Sequence, residues 1–202
     1  MNQTKIVIQN TALELFAVHG YNAVSIRDIG KKVGIKESTI YYYFENKQDI
    51  LNQLLAQVEE LIAAMKEAFT RKFSQIDDVL ETEFVSAAVH YLNQFFLNDH
   101  VLKYIRMLSI EMQSNQKATE LYRSLVFTMP VEHQTQVFEQ MIAKRFFRED
   151  DAYQLAMEYQ SIIYSIFQKH CGGYAPTSDD IEGANRELVL FMQRFYRQYS
   201  LT

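Results

Sequence analysis

The 202-residue chain has one cysteine, two prolines, six glycines and no tryptophan, and it has no long apolar run. Each shortage excludes something. The single thiol, Cys171, forbids an intramolecular disulfide and points to a reducing compartment. So few prolines and glycines, with no strict apolar–polar alternation, leave strands unexpected, and the fold class is read as all-α. No stretch reaches the roughly 18 consecutive apolar residues of a membrane-spanning helix. No basic-then-apolar leader opens the chain, so a cytoplasmic location is expected. Positive charge is short as well: 20 Lys and Arg stand against 25 Asp and Glu, a net −5, which by itself argues against a general nucleic-acid binder. The five histidines (His19, His90, His100, His133, His170) show no metal-ligand spacing with one another or with Cys171. Nucleophile motifs and Gly-rich phosphate loops are missing too, so no catalysis, cofactor or metal is expected.

What is present centres on Ser25 to Lys47, SIRDIGKKVGIKESTIYYYFENK. Ser25 with Asp28 makes a capping box that opens a helix. Ile26, Ile29, Gly30 and Val33 give that helix one buried face. Gly34 stops it, since the left-handed residue needed there costs glycine nothing, and Ile35 tucks back behind the stop. A short helix from Glu37 to Tyr43 follows, with Ile40 and Phe44 inward. Asn46 with Asp49 then caps a helix that begins at Lys47. Helix, glycine turn and short second helix is the helix-turn-helix arrangement, whose second helix enters the DNA major groove. Residues 1–50 hold six Lys and Arg against five acids, and the remainder fourteen against twenty. The basic balance therefore sits on the motif and the acidic excess lies elsewhere. Lys31 and Lys32 read as a solvated face.

The stretch resembles the N-terminal domain of the TetR family of bacterial transcriptional regulators. The match runs through Ala12, Leu15, Phe16, Gly20 and Tyr21, then Ser25, Ile29, Gly34, Ile35, Thr39, Ile40, Tyr41, Tyr43, Phe44, Lys47 and Leu51. Lys36 departs from the serine more usual in the family, which bears on base preference and not on fold. The resemblance implies that Thr39, Tyr41, Tyr43 and Lys47 hold phosphates, and that Arg27, Glu37, Ser38 and Tyr42 lie near base edges. Chemistry allows those roles: arginine pairs bidentately with guanine, a carboxylate accepts from cytosine N4, and an aromatic edge meets a thymine methyl. Ser25 and Lys36, at the two helix starts, complete the candidate DNA-binding set. For Glu37 an acid at a helix N-terminus is an equally good account.

The rest of the chain reads as helices around this head. The first spans Thr4 to His19, with Ile6, Ala12, Leu13 and Phe16 inward and Gly20 as its stop. A long one runs from Lys47 to about Phe73, and no flexible linker separates it from the motif. The expected domains are therefore 1–46, the helix-turn-helix, and 47–202, an effector-binding and dimerisation domain, with the long helix as a lever between them. Further helices are expected over Asp77 to Leu97, Asp99 to Met112, and Ala118 towards Phe146, the last broken or kinked at Pro130. Glu149, Asp150 and Asp151 begin another that reaches His170. CGGYAP (171–176) is the clearest loop, and the last helix runs from near Ser178 to Tyr199.

Two apolar stripes lie on the last two helices: Leu155, Tyr159, Ile162, Ile163, Ile166 and Phe167, then Leu188, Phe191, Met192 and Phe195. The resemblance implies that these helices pair with their two-fold mates in a four-helix homodimer bundle; intramolecular core is the plainer reading. A ligand cavity is expected among the middle helices, with Tyr91, Phe95, Tyr104, Met107, Leu108, Tyr122, Phe127 and Phe138 as candidate walls for a flat or greasy effector. At helical spacing such residues are also ordinary core. His90 and Arg106 are lone polar residues there, and Arg106 would matter for an anionic effector. Cys171 would matter as a redox sensor if it were exposed.

The function expected is a dimeric DNA-binding regulator, a repressor that holds a palindromic operator and is released by a small apolar or aromatic effector. The alternative is an all-helical carrier or enzyme with an architectural helix-turn-helix.

Overall fold

The computed structural model describes residues 3–72, 80–173 and 175–201. Its helices are α1 (Gln3–His19), α2 (Ile26–Val33), α3 (Glu37–Tyr43), α4 (Lys47–Lys72), α5 (Glu81–Tyr91), α6 (Asp99–Glu111), α7 (Gln116–Arg123), α8 (Met129–Ala143), α9 (Ala152–Cys171) and α10 (Ser178–Tyr199). Two π turns, Leu92–Phe96 and Ser124–Thr128, lie between α5 and α6 and between α7 and α8. Among the described residues there is no strand; an isolated antiparallel bridge joins Phe147 to Ser200. No helix among them is long and apolar enough to cross a membrane.

Two compact units divide the chain: residues 1–64 with 99–125, and 65–98 with 126–202. This division differs from one at residue 47, and the side chains show why. Ile50, Leu51, Leu54, Leu55 and Val58 on α4 are buried with Ile8, Leu13, Phe16, Ile29 and Ile40 of the preceding helices in the first unit. Gln53 of α4 accepts from Gln9 at 3.1 Å, and Gln57 accepts from the Tyr104 hydroxyl at 2.8 Å. Lys117 of α7 pairs with Glu59. The start of α4 is thus core of the same unit as the helix-turn-helix, and α6 and α7 return to it. Ile6 and Val33, expected inward, are only half-buried.

The second unit is built on aromatic rings. Phe84 of α5 stacks on Phe195 of α10 at 5.8 Å between centroids, and packs edge-on to Tyr159 of α9 at 5.6 Å. Phe138 and Phe147 complete the cluster. Such pairs add about 0.5–1.5 kcal/mol each beyond the area they bury. The chain end is tied in by Leu201 N–H to Phe146 O and Arg148 N–H to Tyr199 O, both 2.9 Å.

Differences from the sequence expectations are local and have causes. The break expected at Pro130 comes slightly before the proline: the helix stops at Arg123, and the π turn Ser124–Thr128 follows. Pro130 has no N–H for the Val126 carbonyl four residues back, so regular pairing cannot cross that point. Similarly α5 ends at Tyr91 and its continuation is π-helical. The expected starts and ends at Asp77 and Phe73 lie outside the described residues. Asp151 is the N-cap of α9 and Thr177 that of α10, where Thr177 and Asp180 form the capping box. Cys171 is the last residue of α9 and only 1% exposed, which removes the premise of a loop thiol sensor.

Candidate nucleic-acid interface and ligand cavity

The helix-turn-helix forms as its residues dictate. The Ser25 hydroxyl accepts from Asp28 N–H at 3.2 Å, while the Asp28 carboxylate accepts from Ser25 N–H at 2.9 Å and from its hydroxyl at 2.6 Å. That hydroxyl holds the Asp28 carboxyl below its ordinary range. Gly34 sits at φ +79°, a left-handed stop, with its N–H on Gly30 O. A side chain at Gly30 would meet the Ile35 carbonyl at 3.0 Å, so α2 and the turn can approach this closely only at a glycine. Ile40 and Phe44 are buried, which turns the opposite face of α3 outward. Lys36, Glu37, Ser38, Tyr41 and Tyr42 are all exposed, Tyr42 at 79%, and Thr39 and Tyr43 are half-buried. The Tyr42 and Tyr43 rings meet edge-on at 4.9 Å.

An open hollow of about 540 Å³ beside α3 brings together Ser25, Arg27, Glu37, Tyr41 and Lys47 from the expected set, together with Asn22 and Ala23. The last two carry no helix-face signal; they reach the hollow because the turn before α2 is held in place. Lys47 does the holding. Its ammonium donates to Tyr21 O and Val24 O, both at 2.8 Å, and lies 4.1 Å from the Tyr21 ring centroid. The Tyr21 N–H in turn donates to buried Glu111 of α6 at 2.7 Å. Two of the three ammonium protons are therefore committed inside the protein. Lys32 is engaged too, 2.9 Å from Glu14, which it and Lys103 keep ionised below the usual range.

In the second unit a partly enclosed cavity of about 430 Å³ is lined by Met65, Phe84, Ala87, His90, Tyr91, Gln94, Phe95, Pro130, His133, Gln134, Val137, Phe138 and Tyr159. Of the expected walls it gathers Tyr91, Phe95 and Phe138. The Tyr91 and Phe95 rings stack nearly parallel, 5.3 Å apart. Tyr104, Met107, Leu108 and Tyr122 do not line it; they are buried core of the first unit, and burial pushes the Tyr104 hydroxyl up to about 12. Phe127 lines a separate, more open hollow of about 680 Å³ with Val131, Thr135 and Tyr153. Periodicity marks an apolar face without saying which neighbour it meets, so core and cavity wall look alike in the sequence.

The cavity's polar groups went unread for the same reason. Gln134 Nε2 donates to Gln160 Oε1 at 2.8 Å, and Gln160 Nε2 donates to Val126 O at 2.7 Å. Gln134 Oε1 and the Tyr91 hydroxyl are buried without a hydrogen-bond partner. Burial raises the Tyr91 and Tyr159 hydroxyls well above the ordinary phenol range, with the nearby Gln160 amide opposing that shift at Tyr91. Burial lowers His133 to about 4.

On α9 and α10 most of the two apolar stripes is core: Leu155, Tyr159, Ile163, Ile166, Phe167, Leu188, Met192 and Phe195 are buried within the chain. What remains outward is a groove of about 310 Å³ that includes Ser161, Ile162, Ser165 and Phe191, with Leu190 67% and Phe191 44% exposed. Glu187 at its edge accepts from Lys169 and lies 2.7 Å from His170.

Residues 8–54 match the family of bacterial regulatory proteins, tetR family. The fatty acid metabolism regulator protein of Bacillus subtilis is 36% identical over 70 residues, which is 32% of this chain and 36% of that protein. The biofilm operon icaADBC negative transcriptional regulator IcaR of Staphylococcus epidermidis is 40% identical over 43 residues, 21% of this chain and 23% of that one. These stretches span about a third or less of the curated relatives. Among solved structures, a chain from Mesorhizobium loti assigned to TetR-family transcriptional regulators superposes with a TM-score of 0.70 at 15% identity, covering 98% of both chains. That likeness is one of fold.

Proposed function

We propose that this chain, whose residues 8–54 match the family of bacterial regulatory proteins, tetR family, is a member of that family and a cytoplasmic repressor that binds a palindromic operator as a two-fold dimer and lets go when a small effector fills the second unit's cavity. The observation that carries the reading is the outward face of α3, where Glu37, Ser38, Tyr41 and Tyr42 stand exposed while Ile40 and Phe44 lock the helix down. A packing unit has no use for two exposed tyrosines on one short helix. In this reading Arg27, Glu37, Ser38 and Tyr42 address base edges, and Ser25, Lys36, Thr39, Tyr41, Tyr43 and the free proton of Lys47 address phosphates. The similarity to a negative regulator favours repression. Exposed Leu190 and Phe191 supply the dimer contact.

Release needs an effector that binds the DNA-incompetent form more tightly, by about 1–3 kcal/mol for an ordinary coupling. The route proposed is α4, one unbroken helix that includes both Lys47, which holds the turn before α2, and Met65, which lines the cavity.

The test is selection of duplexes from a random library, followed by fluorescence anisotropy at two salt concentrations. Enrichment of a palindrome, bound with a steep salt dependence, is the expected result. If no sequence is enriched and binding disappears at moderate salt, the helix-turn-helix is architectural and the proposal fails.

A further inference from the structure

The cavity of the second unit ends in a hydrogen-bonding group whose polarity is set from outside the cavity. Pro130 has no N–H for the Val126 carbonyl, and Gln160 Nε2 donates to that carbonyl at 2.7 Å. With its nitrogen committed, Gln160 can only accept through Oε1, and Gln134 Nε2 donates to it at 2.8 Å. Gln160 is wholly buried and Gln134 only 7% exposed, so neither amide can turn over without losing a buried bond. The relay therefore finishes at Gln134 Oε1, an acceptor on the cavity wall with no donor in the protein. The Tyr91 hydroxyl, also buried and without a hydrogen-bond partner, lines the same cavity and brings one donor.

Around these two atoms the wall carries no Lys, Arg, Asp or Glu among the described residues. His133 is neutral at pH 7 because burial holds it near 4. A carboxylate would enter with no Lys or Arg to meet it, His90 being the other imidazole on the wall, and a quaternary ammonium would find ring faces but no counter-anion.

Resting on the effector-cavity reading above, we propose that this cavity selects an uncharged aryl ligand bearing a hydroxyl, which donates to Gln134 Oε1 and accepts from the Tyr91 hydroxyl while its ring packs on Tyr91, Phe95 and Phe138. One hydroxyl then satisfies both orphaned atoms. An ether of the same shape satisfies only Tyr91, and a carboxylate faces the Gln134 oxygen with like partial charge.

Isothermal titration calorimetry of the full chain with para-phenylphenol, para-methoxybiphenyl, biphenyl carboxylate and biphenyl trimethylammonium tests this on one ring scaffold. The phenol is expected to bind about tenfold or more tightly than the ether, with the two ions weaker still. Gln134→Leu is expected to erase the preference of phenol over ether, and Tyr91→Phe to weaken both ligands while leaving that preference, each judged on protein whose melting shows it folded. Equal binding of phenol and ether, or tighter binding of either ion, overturns the inference and leaves the effector cavity standing. Binding of none of the four overturns both.

Discussion

Lys47 shows how one side chain can carry two readings. Its ammonium ties the carbonyls of Tyr21 and Val24, and Glu111 ties the Tyr21 N–H from the other side. Loss of the lysine leaves two carbonyls without their charged donor, worth roughly 1.5–3 kcal/mol for a bond of this kind. Lys47→Ala is therefore expected to lower the melting temperature and to weaken operator binding uniformly across sequences, since the turn carrying Asn22 and Ala23 loosens as well. Arg27→Ala is expected to leave the melt almost unchanged, Arg27 being exposed, and to relax one operator position by about 1–3 kcal/mol. Thermal melts and anisotropy on the two variants decide it. A Lys47→Ala protein with an unaltered melt and a shallower salt slope would return the residue to a simple phosphate contact.

At the scale of elements, helix starts are where sequence and structure agree best, because caps are local chemistry. Ser25–Asp28 closes α2 as its spacing demands. Asn46 accepts from Asp49 N–H at 2.9 Å, while the Asp49 carboxylate reaches back to Glu45 N–H at 3.1 Å, one residue earlier than a standard box. The boxes have a pH consequence. Asp28 and Asp180 both have carboxyls held low, chiefly by the Ser25 and Thr177 hydroxyls. A depressed carboxyl stabilises the folded form above its unfolded value, and that contribution is lost as pH falls through the folded value. Helices α2 and α10 should fray below about pH 4. The Asp28→Asn, Asp180→Asn double variant should show a smaller drop in melting temperature between neutral and acid pH than the parent protein, and an undiminished drop would assign the acid sensitivity to other carboxylates. What stayed hidden was non-local. The π turn before Pro130 has an obvious cause once seen, yet the group that takes over the Val126 carbonyl is Gln160, thirty-four residues on. Nothing in the neighbourhood of Pro130 announces that partner. Equally, Tyr91 and Tyr104 look interchangeable as apolar tyrosines, and only the tertiary packing sends one to a cavity and the other to Gln57.

For the whole molecule the open issue is the second copy that a palindrome requires. A two-fold reader gains because the second half-site binds at high effective concentration, so a monomer loses at least about a hundredfold in operator affinity. The stripes on α9 and α10 look wide enough for a bundle in the sequence, but most of their residues are already buried within one chain. A dimer contact on α9 and α10 would rest on the part still outward: Leu190, Phe191 and the groove with Ile162. Substituting Phe191→Glu and Leu190→Glu places charge on that patch without touching core, so the folded chain should survive with its melt little changed. Sedimentation is expected to shift from dimer to monomer, and affinity for a full palindrome to fall to that for a single half-site. Binding of para-phenylphenol should persist, because neither Leu190 nor Phe191 lines the cavity. A double variant that remains dimeric would move the interface off α9 and α10, while one that is monomeric yet binds the palindrome undiminished would refute two-fold reading altogether.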